Sequence, residues 1–240
     1  MIRGILIDYG GTIDTNGKHW ANVIWEAYVN AEVAIDKAQF MEAYAYGEKA
    51  LAINPIIQPE HTFYDVLRLK LRQQFNFLGI PATLDQKIEE IASICMDLVK
   101  ETIALAKPTL SMLSATYPMV LVSNFYGNIH AVLADLGILG YFTDIVESAV
   151  VGIRKPDPGI YRLGVERIGL KAEECVVIGD SYKKDIVSGK TVGCKTIWID
   201  VEGFEEDLLG AGTGAADIQI TDFAQVPASI LALNSIQTSS

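Results

Sequence analysis

The sequence predicts an α/β protein: a parallel sheet with helices on both faces, interrupted after its first strand by an all-helical insertion. From Met119 onward short apolar runs, "MVLVSN", "DIVESA", "CVVIGD", "KTIWID" and "ADIQIT", alternate with amphipathic stretches. That is the pattern of strands buried on both faces and joined by helical crossovers. The opening run, Gly4 to Asp8, has the same character, while Trp20 to about Thr102 repeats apolar residues at spacings of three and four.

In order along the chain, Gly4 to Asp8 is the first strand. Four helices follow. Trp20, Ile24, Ala27, Tyr28 and Ala31 mark the first, and Phe40, Tyr44, Gly47 and Leu51 the second. Phe63, Leu67, Leu71, Phe75 and Leu78 mark the third, and Leu84, Ile88, Ile91, Cys95, Leu98 and Thr102 the fourth. "NPIIQPEH" and "LGIPAT" break the pattern between them. The character changes after Lys107-Pro108. Each later run then leads into a helix: Asn128 to Leu136, Pro158 to Ile168, Lys184 to Val192 and a closing helix after "ADIQIT". The expected domains are a core of residues 1–16 and 107–240 and an inserted helical cap of residues 17–106. Only the tail "SIQTSS" reads as disordered.

The chain has 240 residues, half of them apolar and a fifth charged, as in soluble globular proteins. Its formal net charge of −11 repels nucleic acid and anionic membranes, so neither is an expected partner. Three cysteines, Cys95, Cys175 and Cys194, show no metal-type spacing and read as buried thiols of a reducing compartment. No run reaches membrane-spanning length and the first residues do not read as a signal peptide, so a cytoplasmic location is expected. No protein partner is inferable from the sequence.

In an open parallel sheet, ligands bind beyond the carboxyl ends of the strands, so the polar residues there carry the functional reading. Asp8 ends the first strand and leads into Gly10, Gly11 and Thr12, a turn whose N–H groups could face an anion or simply close a loop. Ser123-Asn124 end the next strand, suited to a phosphoryl oxygen or to a helix cap. In "RKPDPGIY", Pro156 disfavours helix at Lys155, and Asp157-Pro158 fit the N-cap and first helical positions, which puts Lys155 on a loop. Asp180 ends the strand "CVVIG", with Asp185 five residues on; the pair could ligate Mg²⁺ or cap a helix.

A nucleophile-type aspartate, a Ser-Asn pair, a lysine and an acidic pair, each at a separate strand end and in this order, resemble the four motifs of the haloacid dehalogenase-like hydrolase superfamily. The resemblance spans the chain, since that family carries a helical cap after its first motif, and it implies a Rossmann-like core. It also implies a Mg²⁺-dependent phosphohydrolase acting on a small phosphorylated metabolite, with Asp8 as the nucleophile that forms an aspartyl-phosphate. Asp8, the Gly10 carbonyl, Asp180 and, in support, Asp185 would hold the Mg²⁺ cofactor. Gly11, Thr12, Ser123, Asn124 and Lys155 would bind the phosphoryl group, Lys155 also offsetting the crowded anions.

The family pattern is Asp-x-Asp-Gly-Thr, and this chain reads Asp-Tyr-Gly-Gly-Thr. Gly10 keeps the carbonyl but lacks the carboxyl that protonates the leaving group, a function worth roughly 10²- to 10⁴-fold. Asp14 and His19, just past the turn, are the replacements within reach, although capping roles suit them too. The dehalogenase and phosphonoacetaldehyde-hydrolase branches also lack that acid. The former dispense with metal, and the latter use a cap lysine, for which Lys49 is the candidate. A non-catalytic phosphate-binding regulator is a further alternative. Trp20, Trp25, Tyr28, Tyr44 and Tyr46 could stack on a substrate, but their helical spacing assigns most of them to packing within the cap.

Overall fold

The computed structural model describes residues 1–201 and 216–237. Its centre is a six-stranded parallel sheet built from β1 (Gly4–Ile7), β2 (Met119–Ser123), β3 (Asp144–Glu147), β4 (Cys175–Gly179), β5 (Lys195–Ile199) and β6 (Ile218–Ile220). The spatial order is β3-β2-β1-β4-β5-β6, every neighbouring pair parallel. The chain therefore works outward from β1 to β3, then returns to the other side of β1 with β4. β1 and β4 flank the point where the winding reverses, which is where such sheets open a crevice at their carboxyl ends. Ile7 pairs with Ile178, so the residues after β1 and β4 emerge side by side.

The strand residues alternate strictly between two cores. Ile5, Ile7, Met119, Leu121, Val176 and Ile178 face one way, and Leu6, Val120, Val122, Cys175 and Val177 the other. Both faces are covered, which is why the strands read as unbroken apolar runs. Each buried Ile, Leu or Val contributes about 1.5–3 kcal/mol relative to exposure, so the sheet is stabilised from both sides.

Between β1 and β2 lie four helices: α1 (Trp20–Asn30), α2 (Lys37–Ile53), α3 (Phe63–Leu78) and α4 (Asp85–Ser114). Asp36 with Gln39 and Thr62 with Asp65 form reciprocal capping boxes at the starts of α2 and α3, and Gly79 closes α3 in the left-handed conformation. Most residues of the expected stripes are buried or packed against one apolar cluster that continues onto the first sheet face, but Leu84, expected on the fourth helix, is exposed and precedes it.

The break expected at Lys107-Pro108 does not occur. α4 runs through it to Ser114. Pro108 is exposed, so the carbonyl left without a donor by its missing N–H lies on the solvated side of the helix. The 106/107 boundary thus falls inside a helix rather than in a linker.

Beyond β2 come α5 (Ile129–Asp135), α6 (Ser148–Val151), α7 (Gly159–Ile168), α8 (Ser188–Val192) and α9 (Val226–Gln237). A π-helical turn, Tyr182–Val187, fills the space before α8 where an ordinary helix from Lys184 was expected. α7 begins one residue later than expected, with the Asp157 carboxylate accepting the Gly159 N–H at 2.8 Å. α9 extends through Gln237, so the first part of "SIQTSS" is helical; Thr238 to Ser240 lie outside the described residues. The three cysteines are free and buried. Among the described residues no helix is long and apolar enough to cross a membrane.

Candidate active site

Asp8, Ser123, Asn124, Lys155, Asp180 and Asp185 all line one cavity at the carboxyl ends of β1, β2 and β4, facing the helical block. The Lys155 ammonium, 4% exposed, donates to Asp8 Oδ1 at 2.6 Å and to Asp185 Oδ1 at 2.7 Å. Its backbone is fixed from β2's end: Asn124 Oδ1 accepts the Lys155 N–H at 2.9 Å, and Asn124 Nδ2 donates to the Lys155 carbonyl at 3.0 Å. The Lys155–Pro156 peptide is cis. Asp185 also accepts the Tyr161 hydroxyl at 2.7 Å and the Ser181 N–H at 3.1 Å.

Asp8, Asp180 and Asp185 can each offer one carboxylate oxygen within 4.8 Å of the others. Three carboxylates then face one ammonium in a buried site. Burial pushes the Asp8 carboxyl up to about 6, against the pull of Lys155 and with the push of Asp185. Burial, with Asp8 and Asp185, lifts Asp180 well above the carboxylate range. Burial opposes the charge on Lys155, but Asp185 and Asp8 outweigh it and hold the ammonium protonated. An all-oxygen donor set with an excess of negative charge fits a hard divalent cation such as Mg²⁺.

Gly11 and Thr12 sit differently from the anion-facing turn expected of them. The Gly11 N–H donates to Asp14 Oδ1 at 2.7 Å and the Thr12 N–H to the Tyr9 carbonyl at 3.2 Å, so both are engaged within the turn. The Thr12 hydroxyl donates to Asp180 Oδ1 at 2.8 Å and accepts the Asp180 N–H at 3.1 Å, tying β1's turn to β4's end. Gly11 has φ 93°, and a Cβ there would collide with the Asp180 carboxylate, so only glycine lets the two turns approach. Gly10 is different. It lines the cavity, does not need a left-handed φ, and a Cβ on it would meet nothing within 4 Å.

Asp14 and His19 also line the cavity, but each has a structural task. Asp14 Oδ2 accepts the Trp20 indole N–H at 3.0 Å, so the carboxyl staples the turn to α1; burial pushes it up to about 7. His19 caps α1, its Nδ1 accepting the Ala21 N–H at 3.1 Å, and burial with the Lys184 charge lowers it to about 4. It is neutral at neutral pH. Trp20 and Tyr44 reach the cavity. Trp25 packs on Phe40, Tyr28 is buried with its hydroxyl on Gln74, and Tyr46 stacks on Phe77.

Sequence reasoning missed Glu48 and Lys70, which line the cavity from α2 and α3. Lys70 Nζ lies 2.6 Å from Glu48 Oε1, and the Tyr126 hydroxyl, from the loop after β2, donates to Glu48 Oε2 at 2.8 Å. A signal was present: Lys70 and Gln74 fall on the apolar stripe of α3 with Leu67, Leu71 and Phe75, where a charged residue needs a partner. Lys49, by contrast, is exposed and does not line the cavity. Tyr161, which bonds Asp185, was missed for lack of any local signal.

A family model for haloacid dehalogenase-like hydrolases matches residues 2–193. The chain is 42% identical over 76 residues to a glyceraldehyde 3-phosphate phosphatase of Methanocaldococcus jannaschii, covering 32% of this chain and 33% of that one. It is 29% identical over 94 residues to a phosphoserine phosphatase of Thermus thermophilus, covering 39% and 36%. These matches span about a third of each curated relative. In overall structure the chain is similar to a phosphatase from Thermococcus onnurineus, with a TM-score of 0.55 and 20% identity over 95% of this chain and 98% of that one. It is also similar to L-2-haloacid dehalogenase from Xanthobacter autotrophicus, with a TM-score of 0.61 and 15% identity over 96% and 98%. At these identities the likeness is one of fold.

Proposed function

The chain belongs to the haloacid dehalogenase-like hydrolases, and on that footing we propose that it is a Mg²⁺-dependent phosphohydrolase acting on a small phosphorylated metabolite through an aspartyl-phosphate on Asp8. The observation that supports this most is the Lys155 ammonium bridging Asp8 and Asp185 beside a carboxylate trio able to hold a cation. A mere phosphate-binding protein has no use for a buried carboxylate poised in this way.

Asp8, Asp180 and Asp185, with the Gly10 carbonyl, would hold the metal. Mg²⁺ bound there supplies neutralisation of the charge on the phosphoryl oxygens. The Asp8 carboxylate attacks phosphorus; the bond to the leaving oxygen breaks as the Asp8–phosphoryl bond forms. Water then takes the phosphoryl group from Asp8, leaving inorganic phosphate and the free carboxylate. Lys155 keeps Asp8 ionised and positioned through both steps, while Ser123 and the Asn124 backbone hold the phosphoryl oxygens. Thr12 works indirectly, by orienting Asp180. The helices α1–α4 serve as the cap, which closes the cavity over the substrate.

No side chain at position 10 protonates the leaving group, a loss of about 3–5 kcal/mol of barrier lowering for a poor leaving group. His19 is neutral and Asp14 is held by Gly11 and Trp20. The favoured substrates are therefore those whose leaving group departs without a proton, such as acyl and aryl phosphates. The phosphonate-type alternative needs an uncharged amine, whereas Lys70, which lines the cavity, is held as an ammonium by Glu48.

The test is phosphate release from acetyl phosphate, an aryl phosphate and a panel of alkyl phosphates, with Mg²⁺ and with chelator. Mg²⁺-dependent release favouring the good leaving groups supports the reading. Equal rates with chelator, or silence on every ester, would sink it.

A further inference from the structure

The cavity is charged unevenly. At the strand ends sit the three carboxylates with Lys155. The same lining carries three further cations, Lys70, Lys184 and Arg154, and two further carboxylates, Glu48 and Asp14. Lys70 is spoken for by Glu48, and Asp14 by the Gly11 N–H and the Trp20 indole, which leaves Arg154 and Lys184 to be accounted for.

Arg154 and Lys184 are neighbours in sequence of Lys155 and Asp185, yet their side chains are exposed while those two are buried. Consecutive residues on these turns thus line the same cavity at different depths of burial. Among the described residues neither Arg154 nor Lys184 forms an ion pair or a side-chain hydrogen bond, whereas Lys155 and Lys70 do. Lys184 lines the cavity together with His19 and Glu48. Solvated surface cations are ordinary. Two unpaired ones sharing a concave wall with aromatic side chains are not, because low-dielectric walls concentrate their field on whatever enters.

We propose that Arg154 and Lys184 form a subsite for a second oxyanion, so that the substrate is a small phosphomonoester carrying a carboxylate or a second phosphate at its non-reacting end. This rests on the reading that the transferred phosphoryl group sits at Asp8. Glu48, which lines the same cavity, is already engaged by Lys70 and Tyr126. The arrangement selects against neutral polyol phosphates, which would leave both cations without a partner.

The test is calorimetric binding to the Asp8→Asn variant with Mg²⁺, using three ligands on one three-carbon scaffold: propyl phosphate, 3-phosphooxypropanoate and propane-1,3-diol bisphosphate. The expected result is that one or both doubly anionic ligands bind about tenfold more tightly than propyl phosphate. Which of them does so identifies the second anion as carboxylate or phosphate. Substituting both Arg154→Met and Lys184→Met should bring the ratio to about one, and exposed sites of this kind tolerate such changes without loss of fold. Equal binding of all three, no binding of any, or a ratio that survives the double substitution would overturn the proposal. Phosphate release from an aryl phosphate by the unmodified protein is read separately. Failure there removes the phosphohydrolase reading and leaves the binding ratio to judge the subsite.

Discussion

The Lys155 ammonium lies 2.6 Å from Asp8 Oδ1, between residues 147 positions apart in the chain. It is also 2.7 Å from Asp185, so one buried cation spans the ends of β1 and β4. Most of the site's behaviour follows from how that single positive charge is shared among three carboxylates.

Lys155→Met leaves those carboxylates without an opposing charge. Removing one partner of a buried pair costs about 3–5 kcal/mol. Denaturation in chelator should show a loss of that order, and Mg²⁺ should recover much of it by replacing the missing charge. A loss of equal size in both buffers would mean that the carboxylates do not share a cation site.

Mg²⁺ should raise the thermal midpoint of the unmodified protein, since a ligand that binds only the folded state stabilises it by about 2.7 kcal/mol at a hundredfold excess over Kd. In Asp180→Ala the rise should vanish. A full rise in that variant would remove Asp180 from the metal site.

Gly10→Asp fits the backbone and the open space at that position. It should raise kcat on alkyl phosphates by about 10²-fold or more, within the usual range for general acid–base catalysis, and change aryl phosphate turnover much less. A folded variant with no gain on alkyl esters would show that the surroundings have adapted to the glycine.

His19 gives a pH signature. Burial lowers it from 6.5 to about 4 in the folded protein, so between those values the unfolded chain binds a proton that the folded one does not. Its contribution to stability is whole above pH 6.5 and falls as pH drops toward 4. The stability difference between the unmodified protein and His19→Gln, measured by urea denaturation, should therefore shrink or invert across that window. A difference constant from pH 7 to 4 would place the folded-state value near 6.5.

The fold was legible because its signals are local. Strands buried on both faces read as apolar runs, and α1 to α3 as stripes bounded by "NPIIQPEH" and "LGIPAT". The placement of Asp8, Asn124, Lys155, Asp180 and Asp185 around one cavity followed from knowing where parallel sheets open. What stayed hidden depends on distant partners. Thr12 turns to Asp180 across 168 positions, and Tyr126 reaches Glu48 across 78, with nothing in either segment to announce it. Pro108 misled because its cost in a helix depends on whether the orphaned carbonyl is solvated, which sequence does not state.

The central claim is that Asp8 itself takes the phosphoryl group, and its most direct test is to catch it there. The protein is mixed with acetyl phosphate and Mg²⁺, quenched rapidly in acid, and the peptide containing Asp8 is weighed. A Mg²⁺-dependent fraction heavier by one phosphoryl group, absent in Asp8→Asn, is the expected result. Turnover that continues in Asp8→Asn, or a phosphoryl group found on another residue, would contradict the claim.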